Sequence, residues 1–583
     1  MISDKKIIGA YEIKNLSKDN HFDYLNNSLK IFYRNILNEE DVKIITSRHN
    51  NFKICNNLYT LYLDLITKKL STHFKIDENK KYFEILIGYW LLRVIHLSTD
   101  IVFSYENKKI TKSDKILVEK FEYQNLINYN YSNFNFLTSK YSFNNQLISL
   151  FFEEVINHTN LDFIKIPRKE ENKHENRFIF NNVIRKFISK SFNLILKSKK
   201  KLIKSNKIIL SHLFFFPLKN KYLNINETIR NYIFFFKFFF RRKIDYLAAK
   251  KFDLSFNNQE KEIDLEKRKL IFNFESNSSL EKMINKVILY SFPIECFENF
   301  NKYKNKNFKQ YKKIFNTGPH LADGQIKFSI ADAVSNGSKL ILNQVGGSYG
   351  VVKNLISQEF DLKVSNKFMS WGWVDYKNLN VFPSVSRLGN SLSLLIKKKE
   401  NSKSKKIILI LANLFIPRRE WGDRMQPEQF INYCEKNIVF LNGIDKNIKE
   451  NIFLRPYNYK KNCIITNDYF KSKYKFTNKN YYKDLLDSRL TISTYNSTTF
   501  LECFAINTPC ILFWENNEWP LNENNSSKKD FLILRENNIL FDDPTKLSKF
   551  INKNYSNIEM WWYGEKVQNI IKEFRNKYIY SGN

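Results

Sequence analysis

The chain has 583 residues, 43% hydrophobic and 26% charged; this is the make-up of a folded globular protein, too long for one ordinary core, and it predicts two or three domains. Lys and Arg number 94 against 59 Asp and Glu, a net charge of +35 that would suit nucleic acid, an anionic membrane face or an anionic substrate. Lys, Asn, Ile, Phe and Tyr are all abundant, as A/T-rich codons would also make them, so charge alone selects none of the three.

The first hundred residues read as helical. Phe83, Ile87, Trp90, Leu91, Val94 and Ile95 recur at helical spacing and form an apolar face. His96 closes that face and suits packing or capping better than catalysis. Eleven basic and no acidic residues lie between Arg185 and Asn226. They read either as a solvated face or, with the aromatic run Tyr232–Phe240, as a surface for anionic lipid headgroups. That aromatic run is too short to span a bilayer and contains Lys237, and no uninterrupted apolar run reaches the ~18 residues a spanning helix needs. Inside the basic stretch, 207–216 is a β-like run.

From about residue 315, short apolar runs alternate with helical patterns: 339–342, 406–412, 438–441, 451–454, 490–493 and 509–513. Each ends in a polar or glycine-containing turn, which predicts βα units and a mostly parallel sheet. The polar, Lys/Ser-rich run 391–406 is the expected linker. Six scattered cysteines (Cys55, Cys296, Cys434, Cys463, Cys503, Cys510) show neither CxxC nor zinc spacing, and the start MISDKKIIGAYEIK lacks an apolar leader core. A reducing cytoplasm is the expected location.

Two segments could carry chemistry. Gln344, Val345, Gly346, Gly347, Ser348, Tyr349 and Gly350 stand between a predicted strand and a helix. Glycines there bring backbone N–H groups close to a ligand, and the helix start adds partial positive charge. The spacing is neither a dinucleotide fingerprint nor a Walker loop, and a tight turn would use the same residues. Upstream, His320 and Asp323 follow another short run and are candidates for proton transfer. The second segment opens from the run 490–493 into Ser497, Thr498 and Thr499 at the start of a helix, a phosphate-binding pattern that exceeds what one N-cap requires. Glu502, one turn in, could accept bonds from ribose hydroxyls. Arg455 follows the 451–454 run at the carboxyl edge of the sheet, where it would meet a phosphate or hold a surface ion pair.

The segments 343–350, 368–373, 494–502, 506–514 and 561–568, with 82–91 near the start, resemble the transferase family of bacterial lipopolysaccharide and surface-polysaccharide loci. The likeness is strong from about 315 to 575 and thin between 100 and 310. The family pattern has histidine where this chain has Val345, and Gly-Pro-Trp where it has Gly88-Tyr89-Trp90. The imidazole role therefore passes to His320 or Asp323, or the histidine was never the base, or the activity is altered. The resemblance implies an α/β fold with two Rossmann-like domains facing a cleft (GT-B-like) and a helical N-terminal region. The expected divisions are 1–200 helical, 201–395 acceptor-side, 396–555 nucleotide-sugar domain, and 556–583 a crossover helix with Ile558, Trp561, Trp562, Val567, Ile570, Ile571 and Phe574 on its apolar face.

It implies a metal-independent glycosyltransferase-like enzyme, with no metal and no cofactor, moving a sugar from a nucleotide-sugar donor to a glycan or lipid-linked acceptor. Arg455, Ser497, Thr498, Thr499 and Glu502 would hold the donor. Gln344, Gly346, Gly347, Tyr349 and Gly350 would form the sugar or acceptor loop, and His320 with Asp323 would be catalytic. Peripheral contact with the inner face of the cytoplasmic membrane is a further expectation. Transfer of a phosphate-containing polyol from a cytidine-activated donor, or an impaired scaffold of polysaccharide assembly, fits the same residues. Nucleic acid is not expected as a partner, because no RNP-like motif, zinc spacing or helix-turn-helix is present.

Overall fold

The computed structural model describes residues 6–12, 22–26, 29, 30, 32, 48–166 except 78, 207–211, 244–247, 262–304, 311–316, 324–393, 404–415, 425–456, 463, 464, 470, 474–477, and 480–582 except 516. The strands in chain order are β1 (Lys6–Ile8), β2 (Asp23–Tyr24), β3 (Lys115–Val118), β4 (Leu161–Phe163), β5 (Lys207–Ser211), β6 (Ile244–Leu247), β7 (Tyr311–Asn316), β8 (Lys339–Asn343), β9 (Lys367–Ser370), β10 (Val381–Pro383), β11 (Ile407–Leu411), β12 (Leu414–Phe415), β13 (Ile452–Pro456), β14 (Cys463–Ile464), β15 (Lys475–Phe476), β16 (Leu490–Ser493), β17 (Cys510–Phe513) and β18 (Leu540–Phe541).

Two six-stranded sheets dominate, ordered β10-β9-β8-β7-β5-β6 and β15-β13-β11-β16-β17-β18, and every pairing within them is parallel. The α/β class with two Rossmann-like sheets is therefore present. In the second sheet the chain works outward from β11 to β15, then returns to place β16 on the other side of β11. That order reverses direction between β11 and β16, the crevice where open sheets take ligands. In the first sheet the reversal lies between β5 and β7. The central strands read as unbroken apolar runs because helices cover both faces: all five residues of β11 are buried.

The N-terminal region carries two long helices, Arg48–Phe74 and Lys80–Lys108. It also holds a small parallel sheet, β2-β1-β3-β4, which the helical pattern did not announce. The second helix is buried from Tyr82 to Val102 and packs on the helices Ser279–Ser291, Gly324–Ser335 and Ile356–Val364. Gly88 marks the tightest point: a Cβ there would lie 2.6 Å from Tyr59 Oη and 2.7 Å from Phe360. Trp90 is fully buried with its ring edge-on to Phe292, and His96 is buried against Phe52. The helix is long and apolar enough to cross a membrane, but its most apolar window is 94% buried inside the fold, so here it forms core. Counting uninterrupted apolar residues missed it because Arg93 and His96 interrupt the run.

One expected strand is a helix. Ile438–Leu441 forms the last turn of Pro427–Asn442, which buries Phe430, Tyr433, Cys434, Phe440 and Leu441 and leaves Val439 exposed. Gln426 and Gln429 cap each other's backbone around Pro427, a start signal that outweighs the short β-branched stretch. The basic stretch 185–226 apart from β5, the aromatic run 232–240 and most of the linker, 394–403, lie outside the described residues.

The chain end returns to the first sheet. The helix Glu565–Tyr578 buries Val567, Ile571 and Phe574, and the Phe574 ring meets Phe500, Phe504 and Phe531 beside the second sheet. The Tyr580 N–H then bonds Trp371 O at 2.8 Å, and Ser386 N–H bonds Tyr580 O at 2.6 Å.

Candidate active site

The turn after β8 is built by Gln344. Its side chain is 5% exposed, and its Oε1 accepts from the Trp371 N–H and from Trp373 Nε1, both at 2.8 Å. Its Nε2 donates to Gly346 O at 2.7 Å. Those bonds hold the Trp373 indole against Gly350, whose φ of +73° requires glycine and whose Cβ would lie 2.3 Å from that ring. Tyr349 is buried, its hydroxyl bonded to Asp361 at 2.9 Å, and the Gly350 N–H donates to Gln358 at 2.6 Å. Val345 is 39% exposed.

The loop then reaches the second sheet. The Gly347 N–H donates to Thr498 Oγ1 at 2.8 Å, and a Cβ on Gly347 would lie 2.6 Å from Thr498 Cα. Farther along, Gly350 O accepts from the side chains of Asn522 and Asn525, Asn522 N–H bonds Val351 O at 2.8 Å, and Lys353 N–H bonds Pro520 O at 2.7 Å. The glycine loop and the hydroxyl turn are thus in direct contact. A cavity of about 480 Å³ lies along the same edge of the second sheet, lined by Glu515, Asn517, Asp542, Asp543 and Pro544.

On the second side, β16 ends in a turn whose hydroxyls have partners inside the protein. Thr494 donates to Ile410 O at 2.8 Å and meets Tyr433 Oη. Thr499 is buried with its hydroxyl 2.9 Å from Tyr495 Oη. Ser497 is the N-cap of Thr498–Ile506, its Oγ accepting from Thr499 N at 3.5 Å. Between them Asn496 is 2% exposed. Glu502 accepts from Tyr482 Oη at 2.8 Å; burial pushes its carboxyl up to about 7, while hydrogen bonds from Tyr482 and Tyr481 oppose the shift.

Arg455 is the penultimate residue of β13, its guanidinium on the fully buried Asp484 carboxylate, which also accepts from Lys406 Nζ at 2.7 Å and from Thr477 at 2.9 Å. The same guanidinium lies over the Tyr481 ring at 5.3 Å, and Tyr481 donates to Thr499 O at 3.3 Å. Arg455 is therefore joined to the hydroxyl turn through Tyr481. His320 and Asp323 lie outside the described residues; β7 ends at Asn316, just before them.

The structure thus joins Gly347 to Thr498 directly and connects Arg455, Thr499 and Glu502 through two tyrosines. Reading by residue type missed those tyrosines, Trp371 and Trp373 as supports, and Asn496, which stands inside the 494–502 segment but is overshadowed by its hydroxyl neighbours.

The sequence model of the LIC12162 family transferases matches residues 37–583. A search of curated proteins returns no match. Among solved structures, a variant of the wall teichoic acid polymerase TagF is similar at 10% identity and a TM-score of 0.30, covering 69% of this chain and 94% of that one. MurG of Acinetobacter baumannii is similar at 9% identity and a TM-score of 0.28, covering 63% and 95%. Neither likeness is high enough to carry an argument about chemistry. With the family model spanning nearly the whole chain, this protein belongs to the LIC12162 family of transferases.

Proposed function

We propose that the protein moves a sugar from a nucleotide-activated donor to a glycan or lipid-linked acceptor in surface-polysaccharide or lipopolysaccharide biosynthesis. The observation that carries the reading is the meeting of the β8 glycine loop with the hydroxyl-rich helix start after β16, at the reversal of strand order. Residues 396–555 hold the donor and 201–395 face the acceptor. The donor phosphate rests on the N-terminus of Thr498–Ile506, where the hydroxyls of Ser497, Thr498 and Thr499 exchange their internal partners for phosphate oxygens beside the first-turn N–H groups. Arg455 adds positive charge from the neighbouring strand end. Glu502 takes a ribose hydroxyl, and the 344–350 loop holds the reacting sugar. Backbone dipoles and cationic side chains stabilise the departing phosphate, so the step needs no bound metal. His320 or Asp323 removes the acceptor proton; His320→Ala should then lower kcat by roughly 10²–10⁴-fold.

The reaction is placed at the cytoplasmic face of the membrane, with a peripheral contact that flotation with anionic and neutral liposomes would test. Thermal shift with CMP, CDP, UDP, GDP and dTDP tests the donor assignment. Selective stabilisation by one base is the expected result, and a cytidine preference would favour polyol-phosphate transfer. A flat response to all five would remove the nucleotide-donor reading.

A further inference from the structure

Polar side chains around the seam mostly have partners, and Asn496 is an exception. It is 2% exposed, yet neither Oδ1 nor Nδ2 has a hydrogen-bond partner. Shutting an amide away from water without partners forfeits the bonds that water would have made, and such groups are rare enough in native proteins that each requires a cause. A partner that enters and leaves is one such cause.

The position of Asn496 indicates which kind of partner. It lies after β16, beside β11, at the point where the strand order of the second sheet reverses. It immediately precedes the N-cap of the nine-residue helix Thr498–Ile506, whose first N–H groups attract anions. Gly346 faces the helix start: a Cβ placed there would lie 3.9 Å from Thr498 Oγ1, in ordinary contact. Trp514, at the end of the adjacent β17, adds a buried indole N–H that also lacks an acceptor.

We infer that Asn496 recognises the activated donor: Nδ2 donates to a phosphate oxygen, and Oδ1 accepts from a hydroxyl beside it on the same nucleoside diphosphate. An amide supplies one donor edge and one acceptor edge, matching a phosphate next to a hydroxyl. Both atoms are closed off in the described state, so the ligand reaches them only as the turn around Asn496 opens. The inference rests on the nucleotide-donor reading above and adds a contact that the hydroxyl pattern did not suggest.

The test uses full-length protein and the nucleotide that most stabilises the wild type among CMP, CDP, UDP, GDP and dTDP. Asn496→Ala should leave the melting temperature of the free protein unchanged or raise it, because it removes groups that make no bonds. The same change should weaken nucleotide binding about 10- to 100-fold, the value of a lost bond to a charged group. Asn496→Asp keeps the shape but sets a carboxylate against the phosphate, and should weaken binding at least as much. Equal affinity in wild type and Asn496→Ala would overturn the assignment while leaving the donor reading intact. A lower melting temperature or failed folding of free Asn496→Ala would make the side chain structural and also overturn it. No stabilisation of the wild type by any of the nucleotides would overturn both.

Discussion

Two buried amides stand at the carboxyl ends of central strands, one in each large sheet. Gln344 follows β8 and Asn496 lies three residues beyond β16; they are 5% and 2% exposed. By burial they are twins, and by bonding they are opposites. Gln344 accepts from two tryptophans and donates to Gly346, whereas Asn496 makes no hydrogen bond. Burial identifies an important side chain but not its task; the count of satisfied bonds separates an amide that builds a loop from one that awaits a ligand. The same division runs along the seam. On the first-sheet side Tyr349 and Gly350 are tied into the fold, while on the second-sheet side an unpaired amide and the raised carboxyl of Glu502 flank a helix start.

Substitutions can break that contrast. The largest loss is expected for Gly350→Ala, which would force a Cβ onto the Trp373 ring at a φ of +73°. Overpacking and backbone strain together predict about 3–5 kcal/mol of destabilisation by denaturant titration. A variant as stable as the wild type would show that the loop does not depend on its tryptophan support. Gln344→Ala should remove about 2–4 kcal/mol, because it leaves the Trp371 N–H and Trp373 Nε1 buried without an acceptor. The same truncation at Asn496 should remove nothing, and equal losses at the two amides would erase the distinction between them. Thr498→Val keeps the shape but deletes the acceptor for the Gly347 N–H, and should cost about 1 kcal/mol.

Strand identities in the second sheet were legible because parallel strands covered on both faces appear as apolar runs, as at 407–411, 490–493 and 510–513. Ile438–Leu441 misled for the same reason: four apolar residues fit a buried strand or one helical turn, and the deciding signal was the capping box a dozen residues upstream. The small N-terminal sheet was illegible because its strands are two to four residues long and pair across long separations. At the site, the glycine loop and hydroxyl turn stood out by residue type. The Gln344–Trp373 bond joins residues 29 apart, and no local pattern encodes it. Asn496 was hidden differently: an asparagine beside an N-cap is ordinary, and only the absence of partners in three dimensions distinguishes it.

The last expected effect is read from pH, at Glu502, and its sign follows from proton linkage. Burial lifts the carboxyl from its ordinary 4.5 to about 7. Between those values the folded chain holds a proton that the unfolded chain has released, so unfolding free energy falls as pH rises across the window. This contribution is complete below 4.5 and gone above about 7. Glu518 is raised to about 7 by its own burial and adds a parallel slope, so the wild-type profile alone does not isolate Glu502. The difference between wild type and Glu502→Gln does isolate it. The variant should gain on the wild type as pH rises from about 4 to about 8 in paired denaturation curves. A constant difference would mean that Glu502 titrates alike in the folded and the unfolded chain. The same titration sharpens the contrast between the two sides of the seam, because a ribose hydroxyl donates better to a carboxylate than to a carboxylic acid. If Glu502 meets the donor, nucleotide affinity rises through pH 7 in the wild type and stays level in Glu502→Gln, whereas removing the Tyr349 hydroxyl on the first-sheet side leaves that rise in place.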